Sequence, residues 1–228
     1  MTLRVVEAKV CTDWLVQMAT KTAASGTKAR GGRSAREAIL EAASRLIHVH
    51  GYNHTSLDDV LRESGVGKGN FYYHFESKEE LGYAILDQVI ASFLAETLEP
   101  CFSDPEGRLL VQIRCFLDRV LEIQREQNCV GGCALGNLAA ELSDVHEGFR
   151  TRLAVVFSAW RERLTQALHE AQRRGDVSDD CRPEAVAHFL VASLEGAILL
   201  TKLTKDIAVM EQCVDEMKRH LSLYARGA

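Results

Sequence analysis

The densest run of chemically capable side chains is Lys68-Gly-Asn-Phe-Tyr-Tyr-His-Phe75. Phe71 and Phe75 stand four apart, so on a helix they share one face and seek a core. That turns Asn70, Tyr72, Tyr73 and His74 outward beside Lys68. Ammonium, amide, phenol and imidazole tips gathered on one solvated face suit phosphate oxygens and base edges. Lys78, three residues past Phe75, adds a cation within reach of a backbone phosphate. A second candidate is Cys133, which follows Gly131-Gly132 and opens a helical stretch. A helix N-terminus favours negative charge, so this placement predicts a lowered thiol pKa and a nucleophilic sulfur. Cys129, four residues earlier, could serve as a resolving thiol. The alternative is a buried cysteine acting as a small hydrophobe, and helix context alone leaves the two readings even.

Other chemistries find less support. The seven cysteines are scattered and show no paired CxxC spacing, which predicts reduced thiols, no disulfide framework and no zinc site. No phosphate loop, dinucleotide fingerprint or metal motif is present. An enzyme built on a cysteine nucleophile needs a positioned histidine base, and neither His146 nor His188 has a spacing that requires contact with Cys133. The expectation is therefore a chain that is not an enzyme, with no cofactor and no metal. Met1 to Thr20 mixes Arg4, Glu7, Lys9 and Asp13 into every possible apolar core of a signal peptide, and Glu195 interrupts the apolar run from Phe189 to Leu200. These features predict a cytoplasmic protein with no membrane partner.

Charge is distributed unevenly. The net charge is −5, yet residues 21–75 hold eight Lys/Arg against five Asp/Glu. A basic head on an acidic body fits a nucleic-acid-binding module joined to a sensor. It also weighs against a helical binding protein that never meets DNA.

The elements that position these residues read as all-α. Only three prolines occur in 228 residues, and long helical periods lie between them. Residues 1–33 read as a flexible basic arm, with Met18 an alternative start. A helix from Ser34 carries Ala35, Ile39, Ala42/Ala43, Leu46 and Val49 on one stripe and is capped by Gly51. Ser56 and Asp59 form a capping box before a short helix. Gly65-Val66-Gly67 turns the chain into a second short helix over 68–75, completing a helix-turn-helix. Ser77 to Glu80 is another capping box, opening a helix to about Glu99. Further helices are expected from Pro105 to about Gln127, Ala134 to Leu142, Asp144 to about Arg174, Pro183 to about Lys205 and Ala208 to about Ala225. The total is nine.

The stretch from Gly51 to Leu81 closely resembles the DNA-binding domain of the TetR/AcrR family. It carries Gly51-Tyr52, Thr55-Ser56 and the register Gly65-Val-Gly-Lys-Gly-Asn-Phe-Tyr-Tyr-His-Phe-Glu-Ser-Lys-Glu-Glu-Leu81. Gly67 stands where the family often has Ser, and Asn70 where Thr or Ser is usual. The resemblance implies an N-terminal three-helix DNA-binding domain over 34–78 and a helical ligand-sensing and dimerisation domain over 79–228. It implies Asn70 and Tyr73 in the major groove, with Thr55, Ser56, Lys68, Gly69, Tyr72, His74 and Lys78 placed along the DNA backbone. It also implies a homodimer on a palindromic double-stranded operator, acting as a repressor released by a small molecule or electrophile. Gly132-Cys-x-x-x-x-Leu-x-x-Glu141 is similar to the branch that includes NemR-type and AcuR-type regulators, in which the matching cysteine is associated with response to electrophiles. That makes Cys133 the sensing candidate.

Two further sets complete the expectations. Cys115, Phe116, Asn137, Glu141, Phe157, Trp160, His188 and Glu195 are inward candidates for an apolar pocket with a few polar groups. Val186, Leu190, Ser193, Ala197 and Thr201, continued by Cys213 and Met217, form an apolar-to-small stripe. The stripe predicts a four-helix interface with a second copy, or else a face of the chain's own core.

Overall fold

The computed structural model describes residues 34–104 and 107–226. The expected arm over 1–33 and the Pro105 start of a helix lie outside these residues. Nine α-helices occur among the described residues: α1 (Ala35–His50), α2 (Leu57–Ser64), α3 (Lys68–His74), α4 (Lys78–Ser92), α5 (Leu109–Glu126), α6 (Ala134–Leu142), α7 (Glu147–Arg173), α8 (Pro183–Thr204) and α9 (Ile207–Ser222). The all-α architecture and the helix count are as the sequence implied.

Short-range chemistry sets the helix ends. Ser34 Oγ accepts from the Glu37 N–H at 3.2 Å while the Ser34 N–H donates to the Glu37 carboxylate at 3.0 Å. Ser56 and Asp59 repeat this reciprocal box at the start of α2. Gly65 ends α2 with φ +69°, the left-handed region where a Cβ would be strained. The third expected box forms only in part. Ser77 caps the Glu80 N–H at 3.1 Å, but the Glu80 carboxylate turns back to the Glu76 N–H instead. Beyond α4 the chain does not stop at Glu99. It continues as a π-helical turn over Phe93–Leu98 and a 3₁₀ turn over Glu99–Phe102, the second containing Pro100, whose ring nitrogen has no hydrogen to donate.

The described chain divides into two compact units, with the divisions falling inside α4, α6 and α7. The first holds the helices up to Ala91 together with Asn137–Leu153, and the second holds Ser92–Gly136 with Ala154 onward. In the first unit, α1 packs on α2 and α3, and Tyr52, Tyr83 and Phe149 form an aromatic stack with centroids 4.7–5.0 Å apart. In the second unit, one core joins α5, α7, α8 and α9 around Ile113, Phe116, Trp160, Leu164, Leu194 and Met210. Phe93, Phe102 and Phe116 pack there in an aromatic cluster that Trp160 joins.

By length and hydropathy two stretches, Lys78–Phe102 and Pro183–Thr204, would reach across a bilayer, more than the charge interruptions in the sequence suggested. Both take part in these cores. For α8 a large apolar remainder stays outside.

Candidate nucleic-acid interface and thiol site

Helix α3 is held from beneath and open above. Phe71 is fully buried and Phe75 is 2% exposed, their rings 5.8 Å apart, with the Arg36 guanidinium over Phe75 at 5.3 Å. Their burial fixes the rotation of a helix only seven residues long, which would not hold its shape alone. Lys68, Gly69, Asn70, Tyr72 and Tyr73 then face outward. Tyr73, at 83% exposure, is the most open large hydrophobic residue in the described chain. A solvated face gains nothing from such a ring, whereas a groove of DNA offers it phosphates and base edges. His74 is half-buried and meets Tyr73 edge-on, with centroids 4.9 Å apart.

Three residues expected on phosphates make contacts within the chain. Thr55 is 2% exposed, and its hydroxyl donates to the Gly51 carbonyl at 2.8 Å. It joins the end of α1 to the start of α2. The Ser56 hydroxyl caps α2 and contacts Asp59 Oδ2 at 2.5 Å, although Ser56 remains exposed. Lys78 Nζ donates to the Tyr52 carbonyl at 2.7 Å and stands 4.3 Å from the Tyr52 ring centroid. Burial holds its pKa below the usual lysine range, against the pull of the Glu141 carboxylate.

Glu141 is a correction of a different kind. It belongs to the first unit and does not line a pocket in the second. Its carboxylate accepts from the Tyr52 N–H at 2.8 Å and the Asn53 N–H at 2.6 Å. A Cβ on Gly51 would come within 3.0 Å of the same carboxylate. Glu141 and Lys78 thus grip one turn, the acid on its amides and the ammonium on its carbonyl. That turn joins α1 to α2.

Residues 39–85 match the family model of bacterial regulatory proteins, tetR family, and residues 110–217 match the Tetracyclin repressor-like, C-terminal domain. The HTH-type transcriptional repressor DhaR of Mycobacterium sp. (strain GP1) is 30% identical over 180 residues, covering 78% of this chain and 87% of DhaR. The chain belongs to the TetR family. Transcriptional regulator AcuR of Cereibacter sphaeroides is 31% identical over 169 residues, or 74% and 77% of the two chains. The reduced form of Escherichia coli NemR superposes with a TM-score of 0.73 at 26% identity, covering 82% of this chain and 96% of that one. This TetR-family protein is therefore a helix-turn-helix DNA-binding regulator of transcription, in a family of regulators rather than of enzymes.

The thiol of Cys133 lies in the second unit at the start of α6. Its Sγ accepts from the Gly136 N–H at 3.3 Å, the helix-start interaction the sequence predicts. The expected consequence does not follow. Burial and the neighbouring Glu195 carboxylate push the thiol well above the ordinary cysteine range and outweigh the amide. Cys133 rests as a protonated thiol donating to Glu195, whose own carboxyl is raised by burial. A Cβ on Gly136 would overlap the Glu195 carboxylate, so glycine is what lets α8 and the start of α6 come this close.

The other sensor candidates scatter. Cys115 is exposed and in contact with the buried Cys101. His188 is exposed too, with Nε2 3.0 Å from Arg161 and Nδ1 3.1 Å from the Glu184 carbonyl. Phe116 and Trp160 are core residues, and the Trp160 Nε1 is buried without a hydrogen-bond partner. Cys129 is buried, its carbonyl accepting from Lys205. Asn137 is half-buried and belongs to the first unit.

The expected pairing stripe points the wrong way. Val186, Leu190, Ala197, Thr201 and Met217 are at most 4% exposed within this single chain. Cys213 packs against the same core and Ser193 is half-buried. The open apolar face of α8 is instead Phe189, Leu199, Leu200 and Leu203, from 44 to 75% exposed, with Ala192 and Gly196 between. Helix α8 is apolar on both sides, so its periodicity did not distinguish inward from outward.

Proposed function

We propose that this TetR-family regulator binds a palindromic operator as a homodimer and represses transcription there. An electrophile attacking Cys133 would release it. The observation that carries the reading is the outward face of α3, with Lys68, Asn70, Tyr72 and Tyr73 exposed above the buried Phe71 and Phe75. DhaR and NemR are repressors by name, which supports repression over activation. One such helix buries too little DNA for specificity at cellular salt, so two must act together, about 34–36 Å apart on successive major grooves. The second copy packs on Phe189, Leu199, Leu200 and Leu203 of α8. Four large exposed apolar side chains gathered on one face of a helix are the kind of patch that marks an interaction site. Residues 34–78 read the DNA, residues 79–228 sense and pair, and the protein works in the cytoplasm.

A gel shift with DNA upstream of the chain's own gene tests the reading. Specific retardation that weakens steeply with salt is expected. Lys68→Ala should reduce the slope of log affinity against log salt by about 0.9, the release of roughly one counterion. Tyr73→Ala should weaken specific binding by about 1–3 kcal/mol while sparing non-specific binding. No specific retardation at low salt overturns the DNA assignment. Release of the Cys133→Ser variant by an electrophile as readily as wild type overturns the thiol assignment.

A further inference from the structure

Two free thiols of the second unit touch, and neither is Cys133. Cys101 lies in the 3₁₀ turn over Glu99–Phe102 and Cys115 on α5. Three contacts hold that segment against the helix. The rings of Phe102 and Phe116, next in sequence to the two cysteines, pack with centroids 6.5 Å apart. Gln112 Nε2 donates to the Asp104 carbonyl. The Cys101 thiol donates to the Cys115 sulfur. Their surroundings differ. Cys101 is buried in the core with Leu109, Ile113 and Leu117 of α5, whereas Cys115 is open to solvent. An exposed sulfur touching a buried one has the arrangement of an attacking and a resolving thiol.

We propose that Cys101 and Cys115 form a reversible disulfide by exchange with a low-molecular-weight disulfide, giving the second unit a redox-responsive site that does not involve Cys133. Access sets the order of events. Cys115 gives its proton to solvent and attacks one sulfur of the small disulfide. A new S–S bond forms, the old one breaks, and one small thiolate leaves and takes a proton from solvent. The Cys101 sulfur then attacks the Cys115 sulfur of the mixed disulfide, and its proton passes to the second small thiol as that leaves. Two protein thiols are oxidised to one disulfide, and one small disulfide is reduced to two thiols. Cys101 does not begin the exchange, because it is buried, and burial followed by the Cys115 sulfur pushes its thiol up to about 12. In the second step contact offsets that weak ionisation, since a neighbouring group acts at an effective concentration far above that of any free thiol in solution. Without a buried partner in contact, an exposed cysteine would stop at the mixed disulfide. Under reducing conditions the pair rests as the free thiols found here. The disulfide then ties the 3₁₀ turn to α5.

The experiment incubates the full-length protein, without denaturant, with oxidised glutathione. An acid quench stops the exchange, and mass spectrometry maps the peptides that carry cysteine. Wild type should yield two peptides linked through Cys101 and Cys115, which dithiothreitol separates. In Cys101→Ala the reaction should stop after its first step, so glutathione-bound Cys115 should be at least about tenfold more abundant than in wild type. In Cys115→Ser, a change at an exposed position of α5, Cys101 should stay a free thiol. Equal amounts of glutathione-bound Cys115 in wild type and Cys101→Ala overturn the proposal, as does Cys115 left unmodified in wild type. Linkage of Cys115 to any other cysteine, or oxidised Cys101 in Cys115→Ser, overturns it too. Cys133→Ser should leave the linked pair unchanged, so this proposal and the sensing reading of Cys133 fail separately.

Discussion

Removing the Glu141 carboxylate should loosen the turn between α1 and α2 and little else in its unit. Two backbone amides lose their acceptor, those of Tyr52 at 2.8 Å and Asn53 at 2.6 Å. A hydrogen bond to a charged group contributes about 1.5–3 kcal/mol, and a buried donor left unpaired loses that in full. The Tyr52 side is half-buried and should show the full cost. The Asn53 side is exposed and recovers a water, so its share falls to the neutral range of about 0.5–1.5 kcal/mol. Glu141→Ala should therefore make local opening easier by about 2–4 kcal/mol. Glu141→Gln keeps one acceptor oxygen without the charge and should show about half. Amide hydrogen exchange reads this directly, at about tenfold in rate for each 1.4 kcal/mol. Tyr52 protection should fall about thirtyfold or more in Glu141→Ala, while Phe71 in α3 keeps most of its own. Lys78→Ala removes the grip on the same turn, and the double variant should depart from additivity by at least about 0.5 kcal/mol. Unchanged Tyr52 protection in Glu141→Ala would refute the reasoning, as would strict additivity with Lys78→Ala.

Other outcomes follow from the same geometry. Thr55→Val loses a buried hydroxyl bonded to the Gly51 carbonyl and should cost about 1–2 kcal/mol in chemical denaturation. Operator affinity well below the unfolding temperature should be kept, and lost affinity at unchanged stability would restore Thr55 as a DNA contact. Leu199→Asp with Leu203→Asp should yield a folded monomer in sedimentation, because both residues are open in the single chain. Leu190→Asp, at 1% exposure, should unfold the second unit; a double variant that stays dimeric removes the α8 face from consideration. Asp59 is held down to about 2 by the Ser56 side chain and backbone and then by Arg62. A depressed folded pKa gives stability that is present above the unfolded value of about 4 and is lost as pH falls through about 2. The α2 cap should thus fail across that acid window, seen as faster exchange of the Ser56 amide, which donates to the Asp59 carboxylate, and Asp59→Asn should abolish this pH dependence.

What the sequence by itself determined is short in range. The caps at Ser34 and Ser56 join residues three apart, and the Gly65 turn needs only its own backbone freedom. The four-residue spacing of Phe71 and Phe75 was enough to orient α3 and to expose Lys68, Asn70, Tyr72 and Tyr73. The density of that motif also carried the family. Tertiary structure decided wherever a residue's partner lies far along the chain. Glu141 meets an amide 89 positions away, and Lys78 a carbonyl 26 positions away. No periodicity encodes such pairings. Helix α8 is apolar on two sides, so only packing into the core it shares with α5, α7 and α9 chose Val186 and Leu190 for the interior and left Leu199 and Leu203 outside. At Cys133 the helix start predicted an acidic thiol. Burial of the sulfur, and after it the field of the Glu195 carboxylate from α8, reverses that expectation.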